Sequence, residues 1–373
     1  RLFRLGVNHG ILMGEHTQGA HLPTIVASID TLRNRLDAIK QFDLAFADEA
    51  HLAVSEGWMR TFEAFGPIPI IGMTATPIRL DGKGLGRVFN QLILGPTITE
   101  LVEEGHLVSG RILSCREIGN SEDDEDTPGI IGNIVSTWRE HAHDWPTIAF
   151  AKNVAHSEHI RDQFVESGIA AEHIDGTMPL SRRDAIWGRV RSGETKVVST
   201  VMTCSYGFDE PCLRIGILAR RTDSLQLHLQ QCGRLMRPHP GKDHYILLDH
   251  VGNVARDYGA SWGFPDEYRE WSLADGIKPR TDAGDALSTT LPRVCPECKT
   301  VLHPKNTKCS CGYVFSDYAA RESMIPDEIA GELKPIEKPI YPRAAYGTSD
   351  DPAIAAIIDK AARCNYKPAY VYV

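Results

Sequence analysis

The chain is 373 residues long, with 42% hydrophobic and 24% charged residues. That balance excludes a disordered or fibrous protein and, at roughly 150 residues per domain, predicts two or three domains. Its 40 basic and 49 acidic residues leave a net charge of −9, so no overall basic field advertises nucleic acid and any such partner has to be held by a local patch. The longest apolar runs fall far short of the roughly 20 residues a membrane span needs, which removes the membrane as a partner. Nine cysteines are an odd count, and five of them are scattered, which points to a reducing, cytoplasmic compartment and away from a disulfide scaffold.

The chain opens on Arg1 with a stretch that already reads like the inside of a domain, and it is expected to begin partway through a longer protein. Up to about residue 260, short apolar runs alternate with helical patterns. Runs that read as strands buried on both faces are Leu44–Ala47, Ile68–Met73, Thr147–Ala151, Lys196–Thr200, Arg214–Ala219 and Tyr245–Leu248. Helical patterns cover Thr97–His106, Ala155–Ser167 and Ser181–Arg191. The last opens on Ser181 with Asp184 three residues on, close to a capping box, and stops at Gly193. Strands alternating with helices predict an α/β fold of parallel sheets covered on both faces. There are two such clusters, over 1–100 and 101–265, the second holding the acidic run Glu122–Asp126, read as a solvated loop. A linker over 266–290, a cysteine module over 291–317 and a tail over 318–373 with a short helix at Pro352–Arg363 complete the organisation.

Four segments carry chemistry. The strand Phe42–Ala47 ends in Asp48-Glu49-Ala50-His51, two adjacent carboxylates where open α/β sheets bind ligands. In a nucleotide hydrolase the first holds magnesium and the second orients and deprotonates the attacking water. A solvated helix start explains the acids equally well. After the second strand come Thr74-Ala75-Thr76-Pro77, whose hydroxyls can link neighbouring loops or simply form a turn. Ser205-Tyr206-Gly207-Phe208-Asp209 follows a further strand and suits contact with a sugar or phosphate, or is an ordinary turn. In Ser224–Arg237, the residues Gln230, Gly233, Arg234 and Arg237 fall at i, i+3, i+4 and i+7, one face of a helix. A cationic stripe on a helix between strands calls for an anionic partner, and phosphates suit the guanidinium fork; a salt-bridged surface face is the plain alternative.

The cysteine module is Cys295-x-x-Cys298, ten residues, then Cys309-x-Cys311. Four thiolates in two close pairs suit a tetrahedral structural zinc, although the second pair is not the commoner Cys-x-x-Cys. His303 could substitute for one ligand, and four free cysteines in a loop is the bland reading.

In this order, the four segments resemble the motif series of superfamily 2 helicases, built from two tandem RecA-like domains, the first of them truncated here. Gly72–Leu85, Pro96–Val108, Gln226–Pro238, Leu247–Val254 and Glu270–Leu273 further resemble the bacterial and phage DEAD/DEAH helicases related to the RadD DNA-repair protein. The resemblance implies ATP and magnesium as cofactors. It implies that Asp48 holds magnesium, that Glu49 activates water and that His51 and Gln230 couple the two domains. Thr74 and Thr76 would link ATP state to strand binding, and Gly207 and Asp209 would line the junction of nucleotide and nucleic acid. Gly233 would belong to the same stripe, and Arg234 and Arg237 would reach the γ-phosphate, Arg237 as the arginine finger. Candidate strand contacts are Thr31, Lys152, Asn153 and Ser205, with single-stranded or branched DNA favoured over RNA and repair or replication proteins as further partners.

Two departures stand out. Ser205-Tyr206 replaces the usual Thr-Glu before the glycine of the fifth motif. The phosphate loop Gly-x-x-x-x-Gly-Lys-Ser/Thr does not occur in the 373 residues. Gly82-Lys83-Gly84 comes after the Thr-Ala-Thr strand and lacks the hydroxyl, so the loop is expected upstream of Arg1 and this stretch alone is expected to be inactive. Two other functions stay open: a non-catalytic nucleic-acid-binding fragment with a zinc ribbon, and a duplex translocase that does not unwind.

Overall fold

Side-chain alternation decides what each short strand can bury, and the chain uses it differently in its two units. The computed structural model describes residues 2–35, 42–77, 84–114, 130–201, 209–222, 224–254, 262–274, 293–294, 301–302, 326, 328–329 and 331–336. One unit gathers the described residues of Arg1–Thr97 and Tyr268–Arg280, the other those of Ile98–Glu267 and Thr281–Tyr341.

The first unit contains β1 (Gly10–Met13), β2 (His16–Gln18), β3 (Ile25–Ala27), the single turn α1 (Ile29–Leu32), β4 (Ala45–Asp48), α2 (Glu56–Phe65) and β5 (Ile70–Met73). β1 lies between β2, antiparallel, and β3, parallel. β4 and β5 form a separate parallel pair with Asp48 opposite Met73. The expectation that Leu44–Ala47 is buried on both faces is corrected. Phe46 is 65% and Leu44 41% exposed, because only the Ala47 side of the strand faces the cluster of Ala50, Ala53, Phe62, Leu85 and Phe89.

Leu273, from the stretch expected as a linker, packs against that same cluster. Its carbonyl accepts from Gly86 N–H at 2.8 Å, and a Cβ on Gly84 would lie 2.2 Å from the same oxygen. Gly84, weighed above as part of a phosphate loop, is thus where two chain segments touch. Gly84→Ala is expected to destabilise by about 1–3 kcal/mol through overpacking, read as a lower urea midpoint; an unchanged midpoint would show that the segment moves aside without cost.

The second unit contains α3 (Ile98–Glu103), β6 (Ser109–Ser114), β7 (Ile130–Ile131), α4 (Ile134–His141), β8 (Thr147–Phe150), α5 (Val154–Glu166) and β9 (Ala171–Ile174). It continues with α6 (Leu180–Ser192), β10 (Val197–Thr200), β11 (Ile215–Leu218), α7 (Leu225–Leu235) and β12 (His244–Asp249). Four two-residue strands follow: β13 (Arg293–Val294) and β14 (Val301–Leu302), paired with each other, then β15 (Glu328–Ile329) and β16 (Lys334–Pro335). The main sheet runs β16-β6-β12-β11-β8-β10-β9, parallel except for β16. β8, β10 and β11 are buried along their whole length, as central strands of a parallel sheet covered on both faces are. α6 and α7 supply Ile186, Trp187, Val190, Cys232 and Leu235 to the core on one face. α4 and α5 supply Ile134, Trp138, Ile160 and Phe164 on the other.

Two details differ from the sequence reading. α6 begins at Leu180 with Pro179 as its cap and no side-chain cap bond, so Ser181 and Asp184 do not form a capping box. The turn before it is held instead by Asp175 Oδ1, which accepts from Thr177 N at 2.6 Å and Met178 N at 3.2 Å. The helix does end on Gly193, at φ 78°, the left-handed stop glycine favours. Unforeseen is the return of the tail, where β16 adds antiparallel to β6 with Leu333 buried beside it. The acidic run, Lys278–Thr290, the four cysteines of the module and the Pro352–Arg363 helix lie outside the described residues.

Candidate functional site

Because β4 and β5 run parallel and in register, the turns leaving their carboxyl ends emerge side by side. Glu49, in the first turn, has φ 51° and ψ 47°, left-handed backbone that a non-glycine residue rarely adopts. Its surroundings fix it there. Its N–H donates to Asp48 Oδ1 at 2.9 Å, and its Oε2 lies 3.4 Å from His51 Nδ1. His51 is buried, and the same Nδ1 lies 3.0 Å from Thr74 Oγ1. Thr74 Oγ1 in turn accepts from Thr76 N at 3.1 Å, with both threonines buried. Asp48, Glu49, His51, Thr74 and Thr76 are therefore joined by close polar contacts, with the Asp48 carboxylate exposed at the rim. Two carboxylates at such a strand end fit a hydrated divalent cation and an activated water. Thr31 is buried, and its hydroxyl accepts from Gly14 N at 2.8 Å and meets Ser28 Oγ at 2.8 Å.

In the second unit, the chain leaves β8 and β11 in opposite directions across the sheet, a topological switch point of the kind that opens a ligand crevice at the strand ends. Lys152 and Asn153 follow β8 there. Asn153 caps α5, its side chain accepting from His156 N at 2.8 Å. Lys152 N–H donates to His156 Nδ1 at 3.2 Å. His156 is fully buried, and its pKa is lowered to about 4, first by burial and then by the charges of His159 and Lys152.

This histidine makes a pH prediction. A base whose folded pKa is lowered from 6.5 to about 4 takes up its proton more readily unfolded, so stability is full above pH 6.5 and is lost as pH falls toward 4. The loss is roughly 3 kcal/mol at one pKa unit per 1.36 kcal/mol. His156→Gln should flatten this limb in urea titrations between pH 7 and 4; an equally steep limb in the variant would assign it elsewhere.

α7 is capped by Ser224, whose side chain accepts from Leu227 N at 3.1 Å. Leu225, His228, Cys232 and Leu235 are buried, whereas Gln230, Gly233, Arg234 and Arg237 are half-exposed. The polar stripe thus points away from the core, and a Cβ on Gly233 would meet open space. The helix ends at Leu235, so Arg237 sits just past its last turn. There Arg237 Nη1 donates to Asp209 Oδ1 at 2.6 Å, bringing together two residues singled out from the sequence. Ser205 and Gly207 lie outside the described residues, as do Cys295, Cys298, Cys309 and Cys311. Among the described residues, no group of three or more His, Cys, Asp or Glu side chains could hold a metal ion.

The sequence reading missed a buried polar cluster at β9. Ser157 Oγ lies 2.7 Å from His173 Nδ1, and His173 Nε2 lies 3.0 Å from Asp175 Oδ2. Burial opposes the charge of Asp175, but hydrogen bonds from Thr177 and His173 outweigh it and hold the carboxyl at about 2. Ser157 is fully buried, so the trio braces the sheet and has no substrate access.

Residues 7–79 match the family described as type III restriction enzyme, res subunit, and residues 129–239 match the helicase conserved C-terminal domain. A 51.5 kDa protein of a Lactococcus phage is 28% identical over 327 residues, 83% of this chain and 70% of its own length. The "Putative ATP-dependent helicase IRC3" of Saccharomyces cerevisiae is 26% identical over 254 residues, 61% of this chain. The similarly named mitochondrial protein irc3 of Schizosaccharomyces pombe is 28% identical over 268 residues, 65% of this chain. The match spans 37% of the first yeast protein and 44% of the second. In chain order, a segment similar to the restriction-enzyme res subunit precedes one similar to the helicase C-terminal domain. These family matches and the helicase-named relatives support a helicase of superfamily 2.

Proposed function

We propose that this protein, produced from its whole natural coding sequence, is an ATP-dependent motor that unwinds or translocates along nucleic acid. DNA, single-stranded or branched, is the favoured substrate, in a RadD-like repair role or in phage replication or recombination. The observation that carries this reading is the chain of close polar contacts from Glu49 through His51 to Thr74 and Thr76. It ties a pair of carboxylates to a hydroxyl turn on the neighbouring strand, an arrangement that a purely binding module has no need of.

In this reading Asp48 holds magnesium, and a Glu49 carboxylate oxygen takes a proton from the attacking water. Bound ATP and magnesium supply the reactive phosphoryl group and its charge neutralisation. Arg234 and Arg237 would meet the nucleotide phosphates, Gln230 and Gly233 would serve ATP binding and coupling, and Gly207 and Asp209 would line the junction of nucleotide and nucleic acid, while Lys152, Asn153 and Ser205 would make sequence-tolerant, salt-sensitive contacts to the strand backbone. Among the described residues no helix is long and apolar enough to cross a membrane. The test is ATP hydrolysis with and without single-stranded DNA, duplex DNA and RNA. Hydrolysis stimulated most by DNA is the expected result, and no stimulation by any nucleic acid would overturn the motor reading. Residues 1–373, which lack a phosphate-loop pattern, are expected to show no hydrolysis by themselves.

The proposal extends to one structural zinc held by Cys295, Cys298, Cys309 and Cys311. The support is the spacing of the thiols and the β13–β14 pairing that flanks the first pair along the chain. Elemental analysis is expected to give about one zinc per chain from the four-thiolate set; all four thiols titrating free in metal-free protein purified without chelators would end the proposal.

A further inference from the structure

The helix that carries Arg234 and leads to Arg237 is held at its start by a buried latch from the end of β12. Asp249, the last residue of that strand, and Asn253, four residues on, are both fully buried. Asp249 Oδ2 accepts from Ser114 Oγ and Val254 N, both at 2.8 Å. Its Oδ1 accepts from Asn253 N at 3.0 Å and Val251 N at 3.3 Å. Each of these four partners is a donor, which suits a carboxylate and winds residues 250–254 tightly around it. Burial pulls the other way and raises the Asp249 pKa, but a protonated carboxyl would turn its own hydrogen against those donors.

The wound loop presents Asn253 to the backbone that leads into α7. Asn253 Oδ1 accepts from Thr222 N at 3.1 Å, and Nδ2 donates to the Arg220 carbonyl at 2.8 Å. Trp262, whose own N–H donates to Asn253 O at 2.8 Å, gives its Nε1 hydrogen to the Thr222 carbonyl at 2.6 Å. Thr222 Oγ1 accepts from Ser224 N at 3.1 Å, and Ser224 caps the helix at Leu227 N. One turn into the helix, His228 Nε2 lies 3.2 Å from the Gly263 carbonyl. An amide side chain that donates to one carbonyl and accepts from one N–H of the same short segment fixes that segment's path more tightly than packing does, because both groups are buried and costly to leave unpaired.

We propose that Asp249 and Asn253 are positioning residues, which set the start of α7 and through it the placement of Gln230, Arg234 and Arg237 for ATP turnover. The inference rests on the reading of those arginines as turnover residues, and its test separates the two. Hydrogen exchange and steady-state ATPase are measured on the protein from its whole coding sequence, on Asn253→Ala and on the milder Trp262→Phe, with Arg237→Ala alongside. Trp262→Phe keeps an aromatic ring while removing the Nε1 donor and the volume of the indole's second ring, so it remains informative if Asn253→Ala folds poorly.

The expected result is exchange faster by about tenfold or more at the amides of Thr222, Leu227 and His228, the worth of one or two lost hydrogen bonds, with β8 and β10 amides unchanged. Turnover should fall with it while KM for ATP stays within a few-fold, and Trp262→Phe should show both effects more weakly. Unchanged exchange at Leu227 and His228 in both variants overturns the latch. So does faster exchange with normal turnover while Arg237→Ala is inactive, since the latch is then structural only. If Arg237→Ala itself turns over normally, it is the arginine reading that has failed, and the exchange data alone decide whether the latch holds the helix.

Discussion

Arg237→Ala is expected to cut ATP turnover by about 10³–10⁵, the usual worth of an arginine that meets the charge on a transferring phosphoryl group, while leaving ATP affinity within a few-fold. Arg237 lies just past α7, half-exposed, with its guanidinium on Asp209. As a mere surface pair, 34% and 53% exposed at its two side chains, this contact contributes about 0–1 kcal/mol to stability, and its loss would leave catalysis untouched. The two accounts diverge by orders of magnitude in rate and hardly at all in folding. Arg237→Lys should recover little, because an ammonium cannot present two parallel donors to phosphate oxygens. Asp209→Asn is the companion variant: it removes the paired charge but not the guanidinium, and should cost far less than removing Arg237. Near-normal turnover in Arg237→Ala would remove the finger from the mechanism.

Glu49→Gln is expected to lower turnover by about 10²–10⁴, the span of a lost general base, with ATP still bound. The left-handed backbone at this position provides a second, opposite test. Glu49 at φ 51° stores strain on the order of 1 kcal/mol, of the kind that collects at functional sites. Glu49→Gly should therefore be as inactive as the Gln variant yet equally or more stable to heat. A variant that gains stability and loses turnover cannot be explained by general damage. Turnover close to wild type in Glu49→Gln would exclude the residue as the base.

What the sequence reveals follows from where each residue's partners lie. β8, β10, β11 and β12 are legible because each carries a short apolar run, such as Ile148–Phe150 or Tyr245–Leu248, of the kind a strand covered on both faces needs. β9 is not, since Glu172 and His173 are polar and find partners elsewhere in the fold, Glu172 on Arg189 at 2.6 Å and His173 on Asp175. The stripe of Gln230, Gly233, Arg234 and Arg237 is legible by its helical spacing. Thr31 is legible only as a hydroxyl in a plausible place, and the internal bonds that occupy it have no sequence signature. His156, Asp249 and Asn253 escape for the same reason: each is a single buried polar residue whose partners are mostly backbone atoms, which every residue possesses.

The seven-stranded sheet closes with β16, whose Pro335 pairs with Leu113 of β6. The closing strand thus comes from far down the sequence, beyond the cysteine module, and as the chain leaves the ribosome the body of the second unit is complete long before its last strand arrives. Loop closure over such a distance adds little to the equilibrium cost, since that cost grows only with the logarithm of length. The delay in time is another matter. Until residues 333–336 emerge, β6 is an edge with unpaired backbone groups, the kind of surface that recruits strands from other nascent chains. A polypeptide cut after residue 274 would keep that edge for good, and its yield in soluble form would be set by aggregation.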